Sequence, residues 1–415
     1  MKYLVIGDTQ MFENLTLEEF ILSNATNIGN CMFPLGTLSL IADPNIPVAL
    51  KGFREFGGGP NLKGEEFERL LDDFNSYDCI VAPFPDKLRA RSKEYFKVWN
   101  KILPKLKTRF VLTSIGVFPD TKRLKRSEDD MKEEKKFFEY VFDHQDTINV
   151  RDKNTKNYIL GFGFPEDRIE VLGCPSMYTM GPKLPTPSND ITENSKVVIN
   201  ANLLAPRYRE LGNHGIFFLN STKKFKDYKY ICTRNFEGYF LNCIKEKGTY
   251  DEQDFLEIWD DPGIKKSINL WNTEFNCKTE PFRKAVYPLN INSWMSEISG
   301  YDFCFGSRIH ACIMSILMGI PTFVVCIDGR MLGLCETHNI PHIDARDLQK
   351  DTDVFSLIKD VDFNQINDGQ EERFWSYIKF LNRNGIKTIH DNGVVETPPF
   401  MNMIKKFPSD SVLKL

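Results

Sequence analysis

The sequence lacks the patterns that define several common classes of protein. Its ten cysteines include no C-x-x-C pair, which excludes a zinc ribbon and a thioredoxin-like site. No apolar run reaches the roughly 18 residues that a membrane-spanning helix needs. The formal net charge is only −4, so the overall charge balance gives no reason to expect a nucleic-acid partner. We therefore expect a soluble globular protein.

The N-terminus and the cysteines both favour a reducing compartment. The first residues, MKYLVIGDTQ, lack the apolar core of a secretory signal. Cys79, Cys304 and Cys326 lie inside apolar, strand-like runs, where a free thiol behaves as a small hydrophobic group. These features predict a cytoplasmic protein.

The pattern of apolar runs predicts an α/β fold with two Rossmann-like domains facing a cleft. At 415 residues and 41% hydrophobic content, the chain can bury a large core, and its length favours two domains. Short apolar runs alternate with amphipathic stretches, as in a mainly parallel sheet covered by helices. The runs are KYLVIGD, DCIVAPF, RFVLTSIG, TINVRD, RIEVLG, KVVINANL, KYICTR, AVYPL, YDFCFGS and TFVVCI.

A polar segment in the middle of the chain predicts the domain boundary. Residues 181–195, GPKLPTPSNDITENS, are rich in Pro, Ser, Asn and Gly and are typical of a linker. We therefore expect an N-terminal domain at 1–180, a C-terminal domain at 196–385 and an extension at 386–415, whose position the pattern does not define.

The stretch FCFGSRIHACIMSILMGIPTFVV places two polar residues at the start of an apolar helix. The pattern predicts a strand at 301–305, an N-cap at Ser307, and a helix at 308–318 that ends at Gly319. Arg308 and His310 then lie beside free backbone N–H groups and the positive end of the helix dipole, which favours anions rather than cations. A bound anion would resolve this conflict. The alternative is a salt-bridged arginine and a structural histidine.

The ordered set of motifs resembles the polysaccharide pyruvyl transferase family. The segment GSRIH, followed by an apolar helix, GIP and a strand, resembles the family's R-x-H element. CIDGRMLGLCETHNIP, INVRDKNTKNYILGFGFPEDRIEVLGCPSM and TNIGNCMFPLG are similar to three further family segments. Two places differ: DCIVAPFPDK stands where the family commonly has a Gly-Gly-Gly stretch, and GCPSM stands where it often has an acidic turn.

The resemblance implies a fold like that of the GT-B glycosyltransferases and a reaction without metal or nicotinamide. Phosphoenolpyruvate would donate its three-carbon unit to two hydroxyls of a sugar, forming a cyclic ketal and releasing phosphate. We expect Arg308 to bind the donor's anionic groups, helped by Ser307 and by a second arginine, Arg207. Arg207 is equally compatible with a surface charge. His310 is the expected acid or base, since an imidazole is near half-protonated at neutral pH.

The acceptor side of the expected site is less well defined by the motifs. Asn30 lies in the N-terminal loop that resembles the family, and we expect it to contact substrate. Asp86 follows a predicted strand, where it could bind or deprotonate an acceptor hydroxyl. The acceptor implied by the resemblance is a sugar of a surface polysaccharide, such as a capsule, or its lipid-linked precursor at the membrane face. The basic stretches DKLRARSK and TKRLKRS are candidates for peripheral contact with anionic lipid, although a solvated face explains them as well.

Two other functions remain open, as do three weaker site patterns. The chain could be a sugar-nucleotide-dependent glycosyltransferase on the same scaffold, or a non-catalytic carbohydrate-binding protein. His338 and His342 have the spacing of a helical metal pair, but Pro341 between them would break that helix. EFGGGPNLKG lacks the Lys-Ser/Thr of a P-loop, and Gly7-Asp8 fits no G-x-G-x-x-G pattern.

Overall fold

The computed structural model describes residues 1–22, 27–52, 63–118, 125–188, 190–201, 213–247 and 284–414. The chain forms two parallel sheets that are flanked by helices. Within the described ranges, no helix is long and apolar enough to cross a membrane. The nine cysteines described there are all buried free thiols.

The first sheet is built by the N-terminal part of the chain and has the strand order β2-β1-β3-β4, with every pair parallel. A parallel pair, β5 and β6, continues next to it through a bridge between Ile115 and Val150. All residues of β1 and β3 are buried, as expected for strands covered on both faces. The strands are β1 (Tyr3–Ile6), β2 (Val48–Lys51), β3 (Cys79–Pro83), β4 (Arg109–Thr113), β5 (Ile148–Val150) and β6 (Ile169–Val171).

The second sheet has seven strands in the order β12-β11-β10-β7-β8-β9-β13. All pairs are parallel except β13 with β9, which is antiparallel at the sheet edge. The strands are β7 (Lys196–Asn200), β8 (Asp227–Ile231), β9 (Ala285–Pro288), β10 (Phe303–Gly306), β11 (Thr322–Cys326), β12 (His342–Asp344) and β13 (Val412–Lys414). The two sheets confirm the predicted α/β architecture.

Helices cover both sheets, and polar side chains define where several of them begin. Ser127, Asp152 and Asp328 each accept a hydrogen bond from a backbone N–H of the first helical turn that follows. The helices are α1 (Leu17–Leu22), α2 (Met32–Ile41), α3 (Gly64–Asn75), α4 (Lys93–Ile102), α5 (Glu128–His144), α6 (Lys153–Leu160), α7 (His214–Thr222), α8 (Asn235–Lys247), α9 (Ile291–Ile298), α10 (Ile309–Leu317), α11 (Gly329–Thr337), α12 (Val354–Ile358), α13 (Gln370–Arg383) and α14 (Pro399–Ile404).

The C-terminal part of the chain returns to the first sheet before it ends on the second. Tyr377 of α13 shares a 2.6 Å hydrogen bond with the Thr113 hydroxyl at the end of β4. The backbone N–H of Lys387 donates to the Tyr3 hydroxyl, and that of Ile389 donates to the Leu40 carbonyl. Strand β13 then pairs with β9. The last forty residues therefore connect the two halves a second and a third time.

All ten apolar runs singled out in the sequence form strands, whereas β2, β12 and β13 were missed. The residues of β2 and β12 are only half-buried, so their sequences lack the continuous apolar run that marks a covered strand. His342 belongs to β12, which rules out the helical histidine pair considered above.

The predicted start of the helix after β10 was wrong by one residue. Helix α10 begins at Ile309, and its N-cap is Arg308, whose side chain makes no capping hydrogen bond. The backbone N–H of Ser307 still pairs with the Asn200 carbonyl of β7, at 2.7 Å, and the backbone of Arg308 is extended, with φ of −120° and ψ of 96°, so the helix starts only after it. Gly319 follows the helix with φ of +74°, as predicted.

Helix α2 packs directly on the backbone of residues 175 and 176. A Cβ atom on Gly36 would lie 2.2 Å from the Pro175 carbonyl carbon and 2.4 Å from the Ser176 nitrogen. Both atoms belong to backbone and cannot turn away. The position therefore requires glycine, even though glycine in a helix interior costs about 0.5–1 kcal/mol relative to alanine.

We predict that Gly36→Ala destabilises the fold by about 1–3 kcal/mol, because the clash exceeds the gain in helix propensity. Urea unfolding monitored by circular dichroism measures the change. Ser39→Ala is the matched control: its hydroxyl donates to the Leu35 carbonyl within the same helix, so its loss should cost less than about 1 kcal/mol. Equal stability of Gly36→Ala and the wild type would contradict the close packing.

Candidate active site

A cavity of about 230 Å³ lies in the cleft between the two sheets. It is formed by residues 27–33 and the loops that follow β3, β4 and β5 on one side, and by the loops that follow β8, β10 and β11 on the other. The carboxyl ends of parallel strands are where open α/β sheets bind ligands. The cavity is lined by Asn27, Gly29, Asn30, Phe33, Asp86, Arg89, Phe118, Arg151, Thr233, Arg234, Ser307, Arg308, Ile309, His310, Ala311, Ile327, Arg330 and Met331.

Among the described residues, the cavity is lined by five arginines and by one carboxylate, that of Asp86. The arginines come from separate segments of the chain and meet because their strands end at the same cleft; they are Arg89, Arg151, Arg234, Arg308 and Arg330. A guanidinium group stays charged in proteins and presents a fork of donors that matches carboxylates and phosphates. The cavity is thus suited to a small ligand with several negative charges.

Arg151, at the end of β5, is the most buried of these five arginines, with 2% of its surface exposed. Its Nη1 donates to the Pro85 carbonyl at 2.8 Å, and its guanidinium carbon lies 5.4 Å from the centre of the Phe33 ring. Its buried Nε has no hydrogen-bond partner among the described residues. A buried donor of this kind costs free energy unless a ligand satisfies it.

Arg330 is oriented by the carboxylate that caps its own helix. Asp328 accepts the backbone N–H groups of Arg330 and Met331, and its Oδ2 lies 2.8 Å from Nη2 of Arg330. The guanidinium carbon lies 4.0 Å from the centre of the Phe118 ring, a cation–π contact. Nη1 of Arg330 is 3.7 Å from Oδ2 of Asp86. Arg330 therefore links the C-terminal half of the cleft to the N-terminal half.

Asp86 is held as a carboxylate by the cations around it. Burial by itself raises the pKa of Asp86, but the positive charges of Lys87, Arg330, Arg89 and Arg151 together lower it to about 2. Such a weak base can accept a hydrogen bond from a sugar hydroxyl but is poorly matched to removing its proton. Of the two roles expected for Asp86, binding is the one its environment favours.

His310 is buried, with 7% of its surface exposed, and its ring meets the edge of Phe33 at 4.3 Å between centroids. Burial, and then the charges of Arg151 and Arg330, lower the pKa of His310 well below its ordinary value, and the charge of Asp86 opposes them. The ring is therefore neutral at pH 7 in the absence of a ligand. The expectation of a half-protonated imidazole was wrong because it ignored these neighbours.

Arg308 is positioned by contacts between β10 and β7. Its backbone N–H donates to Oδ1 of Asn200, at 3.3 Å. A Cβ atom on Gly306 would lie 2.1 Å from the same oxygen, so the close approach of the two strands requires a glycine there. The charge of Arg308 also affects His214. Burial lowers the pKa of His214 most, and the Arg308 guanidinium lowers it further, to about 3.

The structure brings together five of the six residues singled out in the sequence. Arg308, His310, Ser307, Asp86 and Asn30 all line the cavity, although their roles remain predictions. The sixth, Arg207, lies outside the described residues, as do most of the Gly-rich stretch 55–64 and residues 119–124. The backbone N–H of Ile28, two residues before Asn30, donates to the Thr233 carbonyl at 2.8 Å, which joins the two halves beside the cavity.

Four arginines of the cavity were not singled out. Each of them follows a predicted strand by a few residues: Arg89 after DCIVAPF, Arg151 at the end of TINVRD, Arg234 at the end of KYICTR, and Arg330 after TFVVCI. An arginine just beyond the carboxyl end of a parallel strand was therefore the signal that could have identified them.

His338, the other member of the proposed histidine pair, has a structural contact. It is buried, and its Nε2 accepts the backbone N–H of Cys174 at 3.0 Å. Within the described ranges, no group of three or more His, Cys, Asp or Glu side chains is arranged to hold a metal ion.

The comparison with protein families gives one match. The model of the family described as polysaccharide pyruvyl transferase matches residues 55–328. That range includes Asp86, Arg207, Ser307, Arg308 and His310. A comparison with curated proteins gives no match.

Solved structures that match this chain include Anabaena HepE in complex with UDP and glucose, at 13% identity and a TM-score of 0.44, covering 93% of this chain and 97% of that one. Methanocaldococcus jannaschii UDP-GlcNAc 2-epimerase matches at 10% identity and a TM-score of 0.40, with coverages of 91% and 100%. The Neisseria meningitidis UDP-GlcNAc 2-epimerase matches at 12% identity and a TM-score of 0.38, and the match covers 98% of this chain and 98% of that one. These TM-scores lie below 0.5, so the likeness carries no argument about function.

We predict that Asp86→Asn destabilises the protein at pH 7, because it removes the carboxylate that offsets the cavity's positive charge. A carboxylate with a lowered pKa stabilises the fold above its ordinary value of 3.8 and loses that effect as the pH falls toward about 2. The stability difference between variant and wild type should therefore shrink from pH 5 to pH 3 in urea unfolding.

Asp360→Asn is the control for that comparison, since the Asp360 side chain is 86% exposed and its removal should change stability by less than about 0.5 kcal/mol. A difference between Asp86→Asn and wild type that stays constant from pH 7 to pH 3 would contradict the lowered pKa.

Proposed function

Because the chain belongs to the polysaccharide pyruvyl transferase family, we propose that it transfers a pyruvyl group from phosphoenolpyruvate to two hydroxyls of one sugar, forming a cyclic ketal. The acceptor is a sugar of a surface polysaccharide or of its lipid-linked precursor. The observation that carries this proposal is the set of five arginines around one small cavity that also contains a buried histidine.

The donor's charges fit that cavity. Phosphoenolpyruvate carries a carboxylate and a phosphate on one three-carbon unit, so it brings up to three negative charges at neutral pH. Guanidinium forks bind both groups bidentately. Arg308 and Arg151, on opposite sides of the cleft, are our candidates for this contact, and the unsatisfied Nε of Arg151 would gain a partner.

The reaction needs a proton at one carbon and the loss of two protons from the sugar. A proton is added to the methylene carbon of the donor, and one sugar hydroxyl forms a bond to the adjacent carbon while losing its own proton. The bond from that carbon to the phosphate oxygen then breaks. The second hydroxyl takes the vacated position and loses its proton. One of the two released protons replaces the one consumed at carbon, and the other leaves with the phosphate as hydrogen phosphate.

His310 is the proposed proton carrier, and Asp86 the proposed acceptor ligand. In the ligand-free protein His310 is neutral, as its lowered pKa requires, so it is able to take up a proton. An anionic donor beside it would raise its pKa and allow it to hold the proton for the methylene carbon. Asp86, which stays ionised, would accept a hydrogen bond from a sugar hydroxyl.

The same cluster of arginines would also suit the diphosphate of a sugar nucleotide, so a glycosyltransferase is the alternative. Thermal shift distinguishes the two: phosphoenolpyruvate should raise the melting temperature in the first case and a nucleoside diphosphate in the second. Incubation with phosphoenolpyruvate and a panel of galactosides, followed by mass spectrometry for the added pyruvyl group, tests the reaction itself. Product formed only from sugar nucleotides would overturn the proposal, and no product from any donor would favour a binding protein.

Three finer points are part of the proposal. Arg207 is proposed to contact the donor from the segment after β7. The protein is proposed to act in the cytoplasm with a lipid-linked acceptor, which would bring it to the inner face of the membrane. Peripheral contact through the basic stretches is tested by flotation with anionic vesicles at physiological salt.

We predict that substitutions of the two residues of the R-x-H element impair different steps, donor binding in one case and turnover in the other. Arg308→Lys should weaken donor binding, because an ammonium group cannot make the bidentate contact. His310→Gln should lower kcat by roughly 10²–10⁴-fold with little change in donor affinity. Melting temperature, donor affinity and turnover are measured on the same preparations. If His310→Gln folds stably and keeps near-normal turnover, His310 has no part in the mechanism.

A further inference from the structure

The ring of His310 contacts a thiol rather than a carboxylate. Its Nε2 lies 3.7 Å from Sγ of Cys174, which is fully buried. Among the described residues, no carboxylate oxygen lies within hydrogen-bond distance of this ring. The contact is unusual for a proton-transferring histidine, whose far nitrogen is commonly oriented by an acidic side chain or a carbonyl.

The thiol is fixed in place from three directions. The backbone N–H of Cys174 donates to Nε2 of His338, and Sγ lies 3.0 Å from Oγ of Ser176. The next residue, Pro175, packs on Gly36 of α2 so closely that no Cβ fits between them. Cys174 therefore cannot move away from His310 without disturbing the contact between α2 and residues 175–178.

The charges that face His310 come from three other segments. Arg151 and Arg330 disfavour a protonated ring, and Asp86 is the acidic group that acts against them. Burial raises the pKa of the Cys174 thiol, so this neighbour is an uncharged S–H group. A protonated His310 would then lie among cations without a counter-charge in contact with it.

We propose that Cys174 is a positioning residue that holds Nε2 of His310 in both protonation states without supplying charge, so that the ring gains its proton only when an anionic substrate binds. A thiol can donate to a neutral ring nitrogen and its sulfur can accept from a protonated one. The proton comes from solvent, and the counter-charge comes from the substrate. This inference rests on the proposed function for the identity of that substrate, but not for the contact itself.

Histidine-selective ¹⁵N NMR of the ligand-free protein tests the positioning role. The signal of His310, assigned by its loss in His310→Gln, should remain that of a neutral ring in the wild type at pH values where an ordinary histidine is already protonated. In Cys174→Asp the midpoint should rise by roughly 1–3 units, because an anion then contacts the ring. Cys174→Asn, of the same shape and without charge, is the matched control and should show no such rise.

If the Cys174→Asp variant does not fold because it buries a carboxylate, the Cys174→Ala variant provides a second test. Removing the thiol should change the ¹⁵N shift of Nε2 and should lower kcat by roughly 10-fold, less than the loss expected from removing the histidine itself, while KM stays within about 2-fold. Cys79→Ala, which removes another fully buried thiol from β3, should leave the His310 signal unchanged. Identical Nε2 shifts in wild type and Cys174→Ala would overturn the positioning role.

Titration with phosphoenolpyruvate tests the second half of the inference. The wild-type His310 signal should become that of a protonated ring near pH 7 when the donor is bound. Donor binding that leaves His310 neutral would overturn the substrate-dependent protonation. If phosphoenolpyruvate does not bind, the proposed function fails, whereas the comparison of Cys174 variants in the ligand-free protein still decides the positioning role.

Discussion

The mutual repulsion of five arginines around one cavity is the constraint on which the rest of the site depends. Like charges at close range in a partly buried space are costly, so each must be compensated locally. The protein does this with a carbonyl for Arg151, the capping carboxylate of α11 for Arg330, and the shared carboxylate of Asp86. A polyanionic substrate, as proposed above, would add negative charge to the same cluster. Burial first, and then the charges of Arg151 and Arg330, lower the pKa of His310.

The sequence predicts those strands of the architecture that are covered by helices on both faces. Runs such as DCIVAPF and TFVVCI are continuously apolar because helices bury both faces of the strand, and each of them forms the strand expected. Strand β2 was missed because its residues are half-buried and its sequence, VALK, resembles many loops. Strand β13 pairs with a strand more than a hundred residues away, and pairing at such a distance leaves no local signal.

The site could be predicted most directly where polar residues interrupt an apolar pattern. Arg308 and His310 stand out because everything around them is hydrophobic. Arg151, Arg234 and Arg330 lie in segments that are individually ordinary, and they become a site only because crossovers and the closing of the cleft bring five strand ends together. The protonation of His310 was beyond prediction for a related reason. It is set by Phe33 and by cations contributed from far along the chain, and a residue type alone carries no information about them.

The path of the C-terminal residues limits how the cleft can open. The chain passes to the second sheet between β6 and β7, returns to the first where α13 reaches the end of β4, and passes over once more before β13 joins β9. Three separate crossings limit how far the halves can separate or twist against each other. A single cut in one crossing would leave the halves associated.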